Sequence, residues 1–525
     1  MDLIGGLSSR VRRNPCGVAL VSGDRSITYG ELWARVTEHA RDLQDAGIRR
    51  GQRVLIPMGN SIEFALAYYS TMAAHAVAVP VNPTFRRDEL RAIMADCRGV
   101  AIVMAHPSSS ALREAVEGAS TRFGAIVMAR GSTWEFATTG SCDGTGQHTN
   151  DGGSADPADD DLTEQGVDVI IYTSGTTGRP KGVMLTGAGL AANALSFGKA
   201  IGCEEHDVHL AVLPMFHSFG ATVALNMPLL TGGRAVIAPQ FIPAAIARLA
   251  VASGSTVLAG VPTMLLSLTV DRGVDPAAFR GLRACISGGA ALPQDGFDAF
   301  EAKFGIRISE GYGLTEASPV VSVNPVGSGV KRGSVGIPIP GVTVRIVDEM
   351  GADALTGEAG EITVGSPGVM TGYFGNHGET SAVMDGAWLR TGDIGRVDSD
   401  GYLYVADRAK DMINVAGYKV CPREVEEILR LHPAVQDAIV VGRPDPLRGE
   451  TVAAHVAIRP GMAVDAAELA SFCRRRLANY KTPTQVVLCD SVPRDGAGKP
   501  LRRAIRAADR GARGGQSPHP QSSEG

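Results

Sequence analysis

The sequence predicts an α/β protein with a large N-terminal domain of several subdomains and a small α+β C-terminal domain. Three observations carry this reading. The chain has 525 residues, too many for one hydrophobic core, and length alone points to about two to four domains. Strand-like apolar runs alternate with helical ones up to residue 174, the pattern of α/β layering. Near residue 407 this gives way to a compact mixture of short helices and strands.

The elements follow in order. In Ser26 to Gly47, "SITYGELWARVTEHARDLQDAG", apolar Leu32, Val36, Ala40 and Leu43 recur at helical spacing and Gly47 stops the helix. "RVLIPM" then reads as a short strand. Phe64 to Val81 holds 18 residues without Asp, Glu, Lys or Arg. It also carries two Tyr, Ser, Thr and His75 and runs into Pro80, so a buried helix leading into a strand fits better than a bilayer span. Strand-like runs recur at 99–105, 124–129 and 167–174. From Gly131 to Gly166 the chain is polar, small and acidic, and reads as a flexible loop. The small domain, about 411–510, opens with "PREVEEILRLHP", a helix with Pro422 at its start. Strands "DAIVVG" and "TVAAHVAI", a helix over "DAAELASFCRRRLANY" and a strand "TQVVLCD" follow. The last residues have no means of burying a core and are expected to be disordered.

Net charge is −5, which gives no electrostatic case for nucleic acid or anionic membrane. Arg502, Arg503, Arg506, Arg510 and Arg513 make the C-terminus locally basic and read as a solvated helix end and tail. The eight Cys form no CxxC pair, and the start, "MDLIGGLSSRVRR", has no secretory pattern. Reduced, mostly buried thiols and a cytoplasmic location are expected.

The densest chemistry lies in "YTSGTTGRPKG". Thr173, Ser174, Gly175, Thr176, Thr177 and Gly178 offer hydroxyls and backbone N–H groups that glycine lets converge on anionic oxygens. Lys181 adds charge. This is no Walker A loop, because Pro180 precedes the lysine and Gly182 follows it; the plain alternative is a mobile polar turn. In "SEGYGLTE", Tyr312 sits between Gly311 and Gly313, so its ring can lie against a planar base. Thr315 can donate to a phosphate oxygen, and Glu316 suits Mg²⁺, which takes hard oxygen ligands. "SGGAAL" supplies Gly288, Gly289 and Ala290, small enough for a ligand to approach the backbone. Asp393 in "RTGDIG" can bind both hydroxyls of a ribose, and Arg408 opens "RAKDMINVAGYKV". Lys499 in "RDGAGKPLRR" can neutralise charge at a reacting phosphate; alone, it reads as a surface cation.

Together and in this order, with "LPMFHSFG" between them, these stretches resemble the ANL superfamily of acyl-CoA synthetases, adenylation domains and luciferases. They are nearest to the medium- and long-chain fatty acyl-CoA synthetases. The resemblance implies a large adenylate-forming domain over 1–407, a hinge at 408–411, a mobile lid over 412–510 and a tail over 511–525. It implies that a carboxylate attacks the α-phosphate of ATP to give acyl-AMP, which a thiol, usually that of CoA, then attacks. It assigns Ser174 to Thr177 to the β- and γ-phosphates, Thr315 to the α-phosphate, Tyr312 to adenine, and Asp393 and Arg408 to the ribose. Thr173, Lys181, Gly289, Ala290, Gly311 and Gly313 complete the ATP site, Glu316 holds Mg²⁺ and Lys499 is catalytic. His217, with Gly288 and Gly313, lies by the acyl group; Gly417 and Tyr418 lie by CoA; Lys410 is the hinge. Many relatives dimerise.

No Asp or Glu occurs between Val208 and Val270. A buried ammonium without a carboxylate is costly, so an α-amino acid is disfavoured. The same window is rich in Met, Phe, Leu, Val and Ala, which suits an apolar carboxylic acid; the resemblance implies a place in fatty acid metabolism, with an aryl acid the nearest competitor. A carrier-protein phosphopantetheine arm, or a partner that takes acyl-AMP, is the alternative acceptor. A nucleotide-binding regulator without catalysis is the alternative class, disfavoured by the presence of Lys499, Glu316 and Thr315.

Overall fold

The computed structural model describes residues 1–85, 87–105, 114, 125–130, 133–137, 162, 165–174, 180–348, 350–408, 411–415, 418–445, 448–494, 501–502 and 504–506. They gather into two compact units. The first holds Met1–Arg345, Thr363–Thr391 and Gly401–Leu403. The second holds Ile346–Ile362, Gly392–Asp400 and Tyr404–Gly525.

Two large sheets organise the first unit. One has eight strands in the order Gly372–Tyr373, Pro180–Thr186, Val167–Ser174, Val77–Pro80, Arg53–Ile56, Ala101–Ala105, Ala125–Arg130 and Thr133–Ala137. From Val167–Ser174 to Ala125–Arg130 the neighbours are parallel. Such strands are covered on both faces and read as continuous apolar runs, as Val77–Pro80 does; Arg53–Ile56 is also buried at every position, with its one charge satisfied where Arg53 Nε donates to the Cys97 carbonyl at 2.8 Å. The charge-free run at 64–81 resolves as expected into a core helix, Ile62–Ala73, and the strand Val77–Pro80. Ser61 caps that helix by accepting from the Phe64 N–H at 3.0 Å. Among the described residues no helix is long and apolar enough to cross a membrane. The helix Tyr29–Asp45 starts in a capping box of Thr28 and Glu31 and buries Leu32, Val36, Ala40 and Leu43.

The other sheet has nine strands in the order Ile337–Pro338, Val320–Val323, Ile308–Gly313, Ala284–Ser287, Val257–Gly260, Val208–Ala211, Arg234–Ile237, Val18–Ser22 and Arg25–Thr28. Its six central strands are parallel. The helices Pro243–Ser253, Pro262–Val270 and Gln294–Phe304 pack on it through Ile246, Leu265, Leu268, Phe297, Phe300 and Phe304. Ligands of open parallel sheets bind beyond the carboxyl ends of the strands. Gly288 and Thr315 stand just beyond two such ends.

In the second unit the strands run Tyr418–Val420, Ile413–Val415, Gly449–Ile458, Val435–Asp445, with Gln485–Cys489 parallel to Gly449–Ile458. The amphipathic helices Pro422–Arg430 and Ala466–Arg474 bury Val425, Leu429, Leu469 and Cys473 against them.

Four expectations change. Thr133–Ala137, inside the stretch expected to be loop, forms a strand antiparallel to Ala125–Arg130. Its Thr, Trp and Phe favour a strand, a signal hidden by the polar sequence around it. Leu162, in the same stretch, is buried in the core beside that sheet; most of 131–166 lies outside the described residues. The helix expected over 465–480 ends at Arg474, and a 3₁₀ turn follows at Asn479–Lys481. Arg502 and Arg506 are half-buried and paired. The Arg502 Nη2 donates to Glu426 Oε1 at 2.8 Å and its Nε to the Val440 carbonyl at 3.2 Å, while Arg506 pairs with Asp411 at 3.0 Å. Glu426 is buried, and a buried carboxylate demands such a partner. Arg503, Arg510 and Arg513 lie outside the described residues. Finally, of the seven described cysteines, all free, only Cys97, Cys285 and Cys473 are buried. Burial pushes the Cys97 and Cys285 thiols up to about 12.

Candidate active site

The strand Ile308–Gly313 delivers a short 3₁₀ turn, Thr315–Ala317. The strand pairs antiparallel with Val320–Val323, and the chain must double back closely to do so. Glycine permits it. A Cβ on Gly313 would overlap the Pro319 carbonyl oxygen and lie 2.9 Å from the Pro319 carbonyl carbon, and one on Gly311 would lie 2.9 Å from the Ser322 oxygen. The Gly-Tyr-Gly spacing is therefore a backbone requirement that leaves Tyr312 half-buried between the two glycines. The Leu314 N–H donates to the Pro319 carbonyl at 3.0 Å. Asn193, on the helix Gly187–Ala200, clamps the far side: its Nδ2 donates to the Val320 carbonyl at 2.7 Å and its Oδ1 accepts from the Val320 N–H at 3.1 Å.

The "PMFHSFG" segment meets this turn. The hydroxyls of Ser218 and Thr315 are 2.9 Å apart. His217 is exposed, its ring 4.7 Å from that of Phe216, and it stands at the start of the short helix Ser218–Gly220. The chain continues as a π-helix, Ala221–Asn226, buried throughout; π-turns concentrate at functional sites. Asn60 holds the approach to His217: its Nδ2 donates to the Leu213 carbonyl at 2.9 Å and its Oδ1 accepts from the Met215 N–H at 2.8 Å. The Phe219 ring rests on Gly288, where a Cβ would stand 2.9 Å from the ring Cζ. Gly289 has φ +84° and Ala290 is half-buried. Their loop is fixed by Glu310, whose Oε1 accepts from the Leu292 N–H at 3.1 Å.

The third side of the turn is Gly372–Tyr373, paired antiparallel with Pro180–Thr186. The Tyr373 hydroxyl donates to Glu316 Oε1 at 2.9 Å. Lys181 Nζ stands 5.0 Å from the centroid of the Tyr373 ring and forms an ion pair with Glu379. Glu316 is half-buried, and no cation pairs with it among the described residues. A carboxylate with one oxygen held by a hydroxyl and no counter-ion fits a hard cation such as Mg²⁺.

The structure thus brings together Lys181, His217, Gly288, Gly289, Ala290, Gly311, Tyr312, Gly313, Thr315 and Glu316 in the first unit. Thr173 is half-buried near the end of its strand. Of Ser174 only the backbone is described, as the last residue of that strand; Gly175, Thr176 and Thr177 lie outside the described residues. In the second unit Asp393 is buried on Trp388–Val397, Arg408 ends the strand Leu403–Arg408, and Tyr418 is exposed and stacks on Tyr480 at 4.7 Å. Lys410, Gly417 and Lys499 lie outside the described residues. Sequence reasoning missed Ser218, Asn193, Asn60 and Tyr373. Asn193 carries a local signal, as a lone amide on a helix of small and apolar residues.

A second cluster of possible ligands is already committed to other bonds. Cys203, Asp207 and His209 bring possible ligand atoms within 4.8 Å of one another. But Asp207 Oδ1 accepts from Thr256 Oγ1 at 2.7 Å and Arg283 Nε at 2.8 Å, and Oδ2 accepts from the Glu204 N–H at 2.8 Å and from Arg283 Nη2. No lone pair is left for a metal. Burial raises the Asp207 carboxyl, yet these bonds, Arg283 foremost, outweigh it and hold it at about 2.

Residues 7–374 match the AMP-binding enzyme family and residues 424–499 the AMP-binding enzyme C-terminal domain. The chain is 32% identical to a long-chain-fatty-acid–CoA ligase of Bacillus subtilis, over 95% of this chain and 93% of that one. It is 35% identical to a sulfoacetate–CoA ligase of Cupriavidus necator over 91% of each chain. The crystal structure of ATP-bound MatB from Rhodopseudomonas palustris superposes with a TM-score of 0.84 at 29% identity, covering 97% of this chain and 99% of that one.

Proposed function

The chain belongs to the AMP-binding enzyme family, the ANL superfamily, and on that premise we propose that it activates an apolar carboxylic acid with ATP and transfers the acyl group to CoA. It is an AMP-forming acyl-CoA synthetase by family. The observation that carries the finer reading is the 2.9 Å meeting of Ser218 and Thr315. It sets the apolar, acid-free stretch that begins at Val208 against the turn that bears Glu316.

In the first step a carboxylate oxygen bonds to the α-phosphorus of ATP and the bond to the bridging oxygen breaks, releasing pyrophosphate. Two anions meet, so the residues must lower the repulsion. Thr315 donates to the α-phosphate and Tyr312 packs on the adenine. Lys181 and the 174–177 loop face the β- and γ-phosphates. Mg²⁺ bound at Glu316 would neutralise phosphate charge. Lys499 adds a cation at the reacting oxygens, while Asp393 and Arg408 hold the ribose. In the second step the CoA sulfur bonds to the acyl carbon and AMP leaves with the oxygen it received. The segment around Gly417 and Tyr418 replaces Lys499 for this step by rotation at Lys410. The protein acts in the cytoplasm.

Two features support an apolar acid over a charged one. A sulfonate or a second carboxylate asks for a cation, and between Val208 and Val270 the only Lys or Arg are Arg234 and Arg248. Arg234 donates to the Ser253 carbonyl at 2.9 Å, and Arg248 is exposed on its helix. The test is a panel of straight-chain, aryl, amino and sulfonated acids, with and without CoA, with acyl-AMP and acyl-CoA resolved by mass. Fatty acyl-CoA products support the reading. Acyl-AMP that accumulates with every acid despite CoA would move the acceptor to a carrier protein or partner enzyme. No ATP–pyrophosphate exchange with any acid would make the protein a nucleotide binder.

A further inference from the structure

We propose that Tyr373 is a positioning residue for Glu316, fixing the direction in which that carboxylate meets the metal–nucleotide substrate; this rests on the assignment of Glu316 to the cation. Tyr373 is only 7% exposed, and three backbone–backbone bonds and one to a side chain fix its segment. The Met370 N–H donates to the Glu316 carbonyl at 2.8 Å, and the Thr371 N–H to the Met184 carbonyl at 3.0 Å. The Phe374 N–H donates to the Gly182 carbonyl at 2.8 Å, and the Tyr373 N–H to Thr380 Oγ1 at 2.9 Å. One end of this strap is therefore tied to Glu316 and the other to the neighbour of Lys181.

The tyrosine side chain joins the same two residues. Its hydroxyl donates to Glu316 Oε1 at 2.9 Å, and its ring lies 5.0 Å from Lys181 Nζ. A cation over the ring draws electron density from the phenol and strengthens the hydroxyl as a donor. A glutamate with one oxygen held cannot turn freely about its last bond, so Oε2 keeps a set direction. Glu379, on the helix His377–Val383, pairs with Lys181 and keeps the ammonium over the ring. Tyr373 thus links the two charged residues on this side of the turn, Glu316 through its hydroxyl and Lys181 through its ring.

The test uses Tyr373→Phe, which removes the hydroxyl and keeps the ring over Lys181. A hydrogen bond to a charged group is worth enough to change binding about tenfold or more. Mn²⁺ binding is read by electron paramagnetic resonance on the full-length protein with a non-hydrolysable ATP analogue. KM for MgATP, KM for the acid and kcat are read by ATP–pyrophosphate exchange. Expected is about a tenfold weaker Mn²⁺ complex with a matching rise in KM for MgATP, and an unchanged KM for the acid. Mn²⁺ and MgATP parameters equal to wild type, with Glu316→Gln strongly impaired, overturn the proposal and leave the Glu316 assignment standing. Wild-type Mn²⁺ binding in Glu316→Gln overturns that assignment and the proposal with it. Should Tyr373→Phe lower Tm, its effect is measured again in the Glu316→Gln background: an effect that vanishes there supports the coupling, and one that persists overturns it.

Discussion

Gly313→Ala is the sharpest perturbation of the turn, because the clash it makes is with backbone. The new Cβ would overlap the Pro319 oxygen and stand 2.9 Å from the Pro319 carbonyl carbon and 3.1 Å from Val320 Cα. Carbon atoms rest at about 3.5–4.0 Å, so the two strands must part by at least about 0.6 Å. Overpacking of this kind costs about 1–3 kcal/mol of stability. The strain falls beside the Leu314 N–H bond to Pro319 and two residues before Thr315, whose hydroxyl sits 2.9 Å from that of Ser218. A misplacement of about 1 Å at a reacting group costs about 10²-fold, so a drop of about tenfold or more in ATP–pyrophosphate exchange is expected, with a lower Tm. Gly289→Ala is the control: its Cβ meets only Val261, at 3.5 Å, so its cost comes from φ +84° and not from a clash. A Gly313→Ala protein with wild-type Tm and wild-type exchange would refute the view that the glycines exist to let the strands approach.

Other outcomes are expected. Lys499→Ala should lower adenylation by about 10²–10³, the range for a lost electrostatic group at a transition state, while thioester formation from supplied acyl-AMP should fall far less. Lys410→Pro should impair thioester formation more than acyl-AMP formation, measured as separate half-reactions; equal losses would count against a hinge there. Burial pulls the His209 imidazole down to about 4 from an ordinary 6.5. The unfolded chain therefore binds that proton first, so the stability it governs is full above pH 6.5 and lost as pH falls towards 4, by about 3 kcal/mol in all. Denaturant titrations of His209→Leu at pH 7.5 and pH 5 should show a difference smaller than wild type by about 2 kcal/mol, the share of that loss reached by pH 5.

Much of the fold was legible because its signals are local. The core helix at 62–73 and the parallel strands announce themselves by continuous apolar runs, since both of their faces are covered. Local reasoning failed where a weak strand borrowed stability from its neighbour, as Thr133–Ala137 does from Ala125–Arg130. It failed again at Arg502, where a basic run looked solvated and a buried Glu426 claims its guanidinium.

The sequence by itself determined the kind of chemistry. A dense Gly/Thr loop, two glycines around Tyr312 and the acid-free stretch after Asp207 each restrict what can be bound, because backbone freedom, hydroxyl density and missing charge are properties of the residues themselves. Only the tertiary structure decided how the site is held. Ser218 meets Thr315 across 97 positions, Asn193 grips Val320 across 127, and Tyr373 reaches Glu316 across 57. No spacing along the chain specifies these partners. They follow from strand order and register, which bring the end of one strand beside another, and register is set by the packing of the whole sheet.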